Sequence, residues 1–145
     1  MRVVLGSDHA GLRLKQVVAV HLEQAGHEIV DVGTHTADSV DYPDFGAAVG
    51  RAVVGGQGTL GIAFCGSGIG IGIAANKVPG VRAATAHDVT SARMARLHND
   101  ANVLCLGERF TGEQVALDSV DAFLSTPFEG GRHARRVEKI AALEE

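Results

Sequence analysis

The sequence predicts an α/β fold of three layers, α/β/α, with a five-stranded parallel sheet in a single domain over residues 1–145. Three observations predict it. Five short apolar runs recur along the chain, each closed by glycine or a polar turn. Between them lie segments whose apolar residues fall at helical spacing. The runs themselves are continuous rather than alternating, which is the pattern of strands covered on both faces, as in a parallel sheet.

Residues 2–6 (RVVLG) form the first strand. After SDHAG, residues 12–24 carry Leu14, Val17, Val18 and Leu22 at helical spacing, and Gly26 stops the helix. Residues 27–32 make a second strand, and the polar, turn-rich residues 33–44 a surface loop. The Ala- and Val-rich residues 45–54 predict a helix closed by GGQG. A third strand, 59–65, runs straight into GSGIGIGIAANK, and Pro79 and Gly80 turn the chain into a fourth strand at 81–86. Asp88 is placed to cap a helix over 89–98. A fifth strand at 101–107, a helix at 111–124 and a last helix at 132–143 complete the chain. No internal repeat, linker or low-complexity stretch divides it. Such a doubly wound sheet is Rossmann-like, and ligands bind beyond the carboxyl ends of its strands where the winding reverses. The segments to examine are therefore 7–11, 65–72, 86–88 and 107–110.

The bulk numbers exclude several classes. Hydrophobic content of 46% over 145 residues supports a real core, built from Val, Ala, Leu and Ile because aromatics are only 4%. A net charge of −4 argues against nucleic acid as a partner. No apolar run approaches the roughly 20 residues that span a bilayer, so no membrane partner is expected. The start, MRVVLGSDHAG, breaks off too soon for a signal-peptide core, and a cytoplasmic location is the expectation. Cys65 and Cys105 are too few for a disulfide framework and read as free thiols.

Cys65-Gly66-Ser67-Gly68-Ile69-Gly70 is the chemical centre of the sequence, at a strand-to-helix turn. Its glycines let backbone N–H groups point into one cavity, and the helix start adds partial positive charge. A developing oxyanion would be stabilised there, and the same field favours a thiolate at Cys65. A tight turn with a small core cysteine is the plain alternative. Three familiar motifs fail on single letters: Ile71 stands where a dinucleotide fingerprint needs glycine and where a cysteine phosphatase needs arginine, and Leu12 and Arg13 replace the Lys-Ser/Thr of a P-loop.

Asp8 and His9 end the first strand on the same rim, where a histidine beside a carboxylate serves as acid, base or phosphate ligand. Asp8 also suits a helix cap, and His98-Asn99 suits a helix stop. Arg132 and Arg136, four apart, share a helix face that fits a phosphate dianion, although taken alone a solvated basic face is the better reading. Tyr42 precedes Pro43 in the loop, and Cys105 sits mid-strand as core. The seven histidines suggest no metal site and the chain no cofactor.

The combination of GSDHAG, DYPD, CGSGIGIGIAANK, HND with NVLCLGER, and EGGRH followed by Arg136 closely resembles the type B ribose-5-phosphate isomerases, a family that includes allose- and galactose-6-phosphate isomerases. The blocks run in family order along essentially the whole chain. The resemblance implies a metal-free aldose–ketose isomerase interconverting ribose 5-phosphate and ribulose 5-phosphate through an enediolate. It implies Cys65 as the base, the backbone of Gly66, Ser67, Gly68, Ile69 and Gly70 around the enediolate oxygens, and Ser67 as a proton shuttle where the family often has Thr. It further implies that His98, with Asp8, opens the furanose ring. His9, Arg109, Arg132 and Arg136 would hold the phosphate, and Tyr42 and Asn99 would touch the sugar. Members lacking the cysteine use a later Glu; Ile71, Gly72 and Ile73 offer no carboxylate, so the cysteine branch is indicated. Family sites lie between subunits, which implies a homodimer or a dimer of dimers. The nearest alternative is the same reaction on a 6-phosphate hexose; from another class, it is a non-catalytic sugar-phosphate-binding module.

Overall fold

A computed structural model describes residues 1–144. Strand β1 (Arg2–Ser7) leads through a single 3-10 turn (His9–Gly11) into α1 (Leu12–Gln24). Then follow β2 (Glu28–Asp31), α2 (Tyr42–Val54), β3 (Leu60–Cys65), α3 (Ile69–Ala75) and β4 (Ala83–Thr85). The chain continues through α4 (Val89–Asn99), β5 (Val103–Gly107), α5 (Glu113–Ser125) and α6 (Arg132–Ala141). All strand pairs are parallel, in the order β2-β1-β3-β5-β4. The five-stranded α/β/α expectation is met.

Alternate residues of each strand feed opposite layers, as the two-residue period of a strand requires. Val3, Leu5, Ile62, Phe64, Leu104 and Leu106 pack with Leu14, Val18 and Leu22 of α1 and with residues of α4 and α5. Val4, Ala63, Cys65, Val103 and Cys105 face the other way, onto Val49 and Val53 of α2 and Ile71 and Ala75 of α3. The winding leaves β1 toward β2 on one side and returns to β3 on the other, so the switch point lies between β1 and β3.

Three local devices hold this frame near the switch point and at the edge. Lys15 of α1 is buried, and its Nζ donates to Asp31 Oδ1 at 2.8 Å and to the Thr34 carbonyl. The same loop is stitched to the end of β1 by Ser7 N–H to the Gly33 carbonyl and Thr34 N–H to the Ser7 carbonyl, both 2.7 Å. At the far edge, Ala83 of β4 turns its N–H and C=O away from β5. The Asn76 side chain takes both, at 2.7 and 2.9 Å.

Several boundaries differ from expectation by one to three residues. Tyr42, Pro43 and Asp44 form the first turn of α2 rather than the end of a loop. Proline is favoured there because its fixed φ is helical and its missing N–H would have had no partner. Strands β4 and β5 begin two residues later than expected because the Asn102 side chain takes over. Its Oδ1 accepts from Arg82 N–H and its Nδ2 donates to the Gly80 carbonyl. Helix α5 likewise starts at Glu113, not residue 111.

Candidate active site

A cavity of about 560 Å³ opens at the carboxyl ends of β1, β3 and β5. Asp8 and His9 reach it from the end of β1, and Tyr42 from the first residue of α2. Cys65, Gly66, Ser67, Ile69 and Gly70 line it from the β3–α3 turn, and Arg109 from the segment after β5. Nine of the residues singled out in the sequence thus share one wall-to-wall space. Phe110, 60% exposed, and Ile73 complete its rim and were not singled out.

The turn after β3 is held from beneath. Gly68 has φ +78°, and a Cβ there would come within 2.9 Å of the Leu106 carbonyl carbon. Only glycine meets both demands without strain. In this conformation the Gly68 N–H donates to Cys65 Sγ at 3.1 Å, and Ile69 N–H donates to Ser67 Oγ at the same distance. Gly107 of β5 packs against the backbone of Ser67, where a Cβ would lie 2.4 Å from the carbonyl carbon. Glu108 N–H donates to the Cys65 carbonyl at 2.9 Å and Arg109 N–H to the Gly66 carbonyl at 3.0 Å. The Arg109 guanidinium then lies across Gly66, and the Tyr42 ring across Gly70. Cys65 is 4% exposed at the cavity floor. Cys105, fully buried beside it in the sheet, has its thiol pushed up to about 12, first by burial and then by Cys65. Of the two, only Cys65 meets the cavity.

Asp8 does what its helix-cap reading asked: Oδ1 accepts the Gly11 N–H at 3.0 Å. That bond fixes the carboxylate on the rim. His9 Nδ1 accepts the Val40 N–H at 3.1 Å, so in a neutral ring the proton sits on Nε2, which becomes a donor. Glu108 was not singled out, yet its Oε1 accepts the Leu14 N–H at 2.8 Å and ties the segment bearing Arg109 to the start of α1. No sequence signal points to a bond between residues so far apart.

Four expected residues lie elsewhere. Helix α4 joins two parallel neighbours, so it runs back down the sheet, roughly 16 Å for its 11 residues. That leaves His98 and Asn99 at the opposite end from Cys65. Asn99 borders a second cavity of about 450 Å³ with Arg82 and Ile140. Arg132 and Arg136 are exposed on α6, which rests on α4 and buries only His133. Polar atoms of His98, Glu129 and His133 lie within 4.8 Å of one another, a cluster the sequence reading did not expect.

Residues 3–140 match the family model described as Ribose/Galactose Isomerase. The chain is 44% identical to the ribose-5-phosphate isomerase B of Escherichia coli K12, over 99% of this chain and 97% of that one. It superposes on the ribose-5-phosphate isomerase B of Clostridium thermocellum with a TM-score of 0.97 and 54% identity, covering 99% and 97% of the two chains. A Mycoplasma genitalium ribose-5-phosphate isomerase B with bound ribulose 5-phosphate is 43% identical, with a TM-score of 0.93 over 97% of this chain and 94% of that one.

Proposed function

The chain belongs to the ribose/galactose isomerase family, and from that premise we propose that it interconverts ribose 5-phosphate and ribulose 5-phosphate with Cys65 as the base. The observation that carries this reading is the Cys65 thiol on the floor of a cavity rimmed by glycine-turn backbone, Asp8, His9 and Arg109. The relative with ribulose 5-phosphate bound supports the choice of a pentose phosphate.

The Cys65 thiolate takes the proton from C2 of the open-chain aldose, and the electron pair forms the enediolate. The thiol then returns the proton to C1, and Ser67 carries a proton between O1 and O2. The backbone of the Gly66–Gly70 turn surrounds the oxygens where charge develops. Its Gly68 and Ile69 N–H groups are held by Cys65 Sγ and Ser67 Oγ, which leaves those of Gly66, Ser67 and Gly70 to face the oxygens. The Nε2–H of His9 and the guanidinium of Arg109 bind the phosphate, while Tyr42 walls the sugar. Remote binding of that dianion positions the reacting carbons.

His98, Asn99, Arg132 and Arg136 act from a second copy of this chain. Within one copy, His98 lies across the sheet from Cys65, whereas apolar Ile69, Ile73, Tyr42 and Phe110 are exposed around the mouth of the site. A homodimer, or a dimer of dimers, covers that rim and brings His98 with Asp8 to the furanose ring oxygen and O1. The enzyme works in the cytoplasm; among the described residues no helix is long and apolar enough to cross a membrane.

The test is turnover of ribose 5-phosphate beside allose 6-phosphate and galactose 6-phosphate. Preferential conversion of the pentose is expected. Turnover of a hexose alone would move the substrate and keep the chemistry, and binding without any turnover would overturn the reading.

A further inference from the structure

His9 and Arg109 come to one cavity from strands that never touch. The sheet order sets β3 between β1 and β5, which leaves the ends of those two strands roughly 10 Å apart. His9 leaves β1 in the 3-10 turn before α1, and Arg109 follows β5 by two residues. The ladder joins the two segments only through β3.

Glu108 spans that gap. Its N–H donates to the Cys65 carbonyl at 2.9 Å, at the end of β3. Its carboxylate reaches on to α1, where Oε1 accepts the Leu14 N–H at 2.8 Å. Leu14 is the third residue of α1, and the first four N–H groups of a helix have no partner within it. Gly11 at the N-cap has no side chain to offer, and the first turn holds no acidic residue. Glu108 therefore caps α1 from another segment, where its negative charge also suits the helix end. From the other side, the turn bearing His9 is seated on β3. Asp8 N–H donates to the Phe64 carbonyl at 3.2 Å, and a Cβ on Gly11 would lie 2.5 Å from the carbonyl carbon of Phe64. The Arg13–Glu113 pair crosses the same seam at 2.9 Å, but both side chains are exposed and water weakens the pair. Glu108 does not line the cavity, so it acts on a bound molecule only through what it holds.

We propose that Glu108 is a positioning residue for the substrate phosphate, its carboxylate setting the separation of His9 and Arg109 across the end of β3. The proposal rests on the reading above in which those two residues hold the phosphate. Two ligands from separate segments bind one dianion tightly only when the gap between them is set beforehand, because ordering them at binding costs affinity. The same brace fixes where the phosphate sits relative to Cys65, since Glu108 N–H holds the carbonyl of that residue. A phosphate held loosely misplaces the reacting carbons, so turnover falls along with binding.

Inorganic phosphate is titrated calorimetrically into each variant, and KM and kcat for ribose 5-phosphate are measured well below its melting temperature. Glu108→Met keeps the length of the side chain and loses the acceptor, whereas Glu108→Gln keeps an acceptor oxygen at the same reach. Glu108→Met is expected to weaken phosphate and raise KM by about tenfold, with a smaller fall in kcat. Glu108→Gln should stay within about threefold of the native enzyme, because the bond to Leu14 survives. Arg109→Met, run beside them, should weaken phosphate by about tenfold or more. A Glu108→Met enzyme that melts earlier yet keeps native phosphate affinity and KM would overturn the proposal, leaving Glu108 a purely structural cap. Equal losses in Glu108→Met and Glu108→Gln would overturn it too, since the acceptor would then be irrelevant. Native phosphate affinity in Arg109→Met would instead overturn the phosphate reading beneath it, whichever sugar the enzyme prefers. Glu108→Asp is one carbon too short to reach Leu14 and should match Glu108→Met, so it carries the test if Glu108→Met does not fold.

Discussion

The amide of Gly68 donates to the sulfur of Cys65 at 3.1 Å, across a turn that only a left-handed glycine can make. That bond holds the sulfur at the cavity floor, and the thiolate is the form that can take a proton or attack an electrophile. Cys105 sits in the adjacent strand with no cavity and with its thiol pushed up to about 12 by burial.

The two cysteines should therefore separate cleanly. Iodoacetamide at mildly alkaline pH is expected to modify Cys65 alone, with loss of activity in step, as peptide mass mapping would read. Cys65→Ala should fold and bind substrate while losing about 10²–10⁴-fold in kcat, the usual share of general-base catalysis. Modification of Cys105 at a similar rate, or a fully active Cys65→Ala, would contradict the assignment.

A site completed by a second copy predicts complementation between two dead variants. Cys65→Ala and His98→Asn, unfolded together and refolded in equal amounts, produce half mixed dimers, each with one intact site. Activity should return to about one quarter of the native value from near zero in either variant. No recovery, with mixed dimers present by native mass spectrometry, would place Cys65 and His98 in unrelated roles.

Buried Lys15 makes a prediction about stability. Lys15→Ala leaves Asp31 and the Thr34 carbonyl without their donor and opens a void. Urea denaturation should show a loss of about 2–3 kcal/mol, because the buried Thr34 carbonyl loses its donor and a void opens, while Asp31 keeps the Gly33 N–H and meets solvent. Lys15→Met keeps the volume and should lose less, because replacing a buried charge by an apolar chain saves its desolvation. An unchanged midpoint for Lys15→Ala would mean that solvent reaches Asp31 well enough to replace the lysine.

Legibility in the sequence followed the range of the interaction. Strand runs and helix faces repeat locally, so the sheet and its layers could be read from residues such as Val3, Leu5, Leu14 and Val18. The Cys65 turn was legible for the same reason, since its glycines and thiol are contiguous and the switch-point rule says where they face. Tyr42 was misplaced because proline signals both a loop and a helix start. Bonds such as Glu108 to Leu14, or the meeting of His98 with Glu129 and His133, join distant segments and leave no local trace. Sequence alone named His98 and both arginines, but only the direction of α4 reveals that one copy holds them apart from Cys65.

Asn76 has a consequence for how copies of this chain can meet. An open sheet ordinarily offers its last strand as a template on which a foreign strand can grow. At β4 the amide of Asn76 occupies the outward N–H and C=O of Ala83, so the first rung of the template is already taken by a side chain of the same molecule. At the opposite edge, β2 is four residues long and carries charged Glu28 and Asp31, paired with Arg2 and Lys15, a short polar edge that invites no second strand. Continuous sheets through the stack of molecules are thereby refused at both ends. The second copy proposed above would then meet this one through helices and the mouth of the site, where association is productive rather than fibrous.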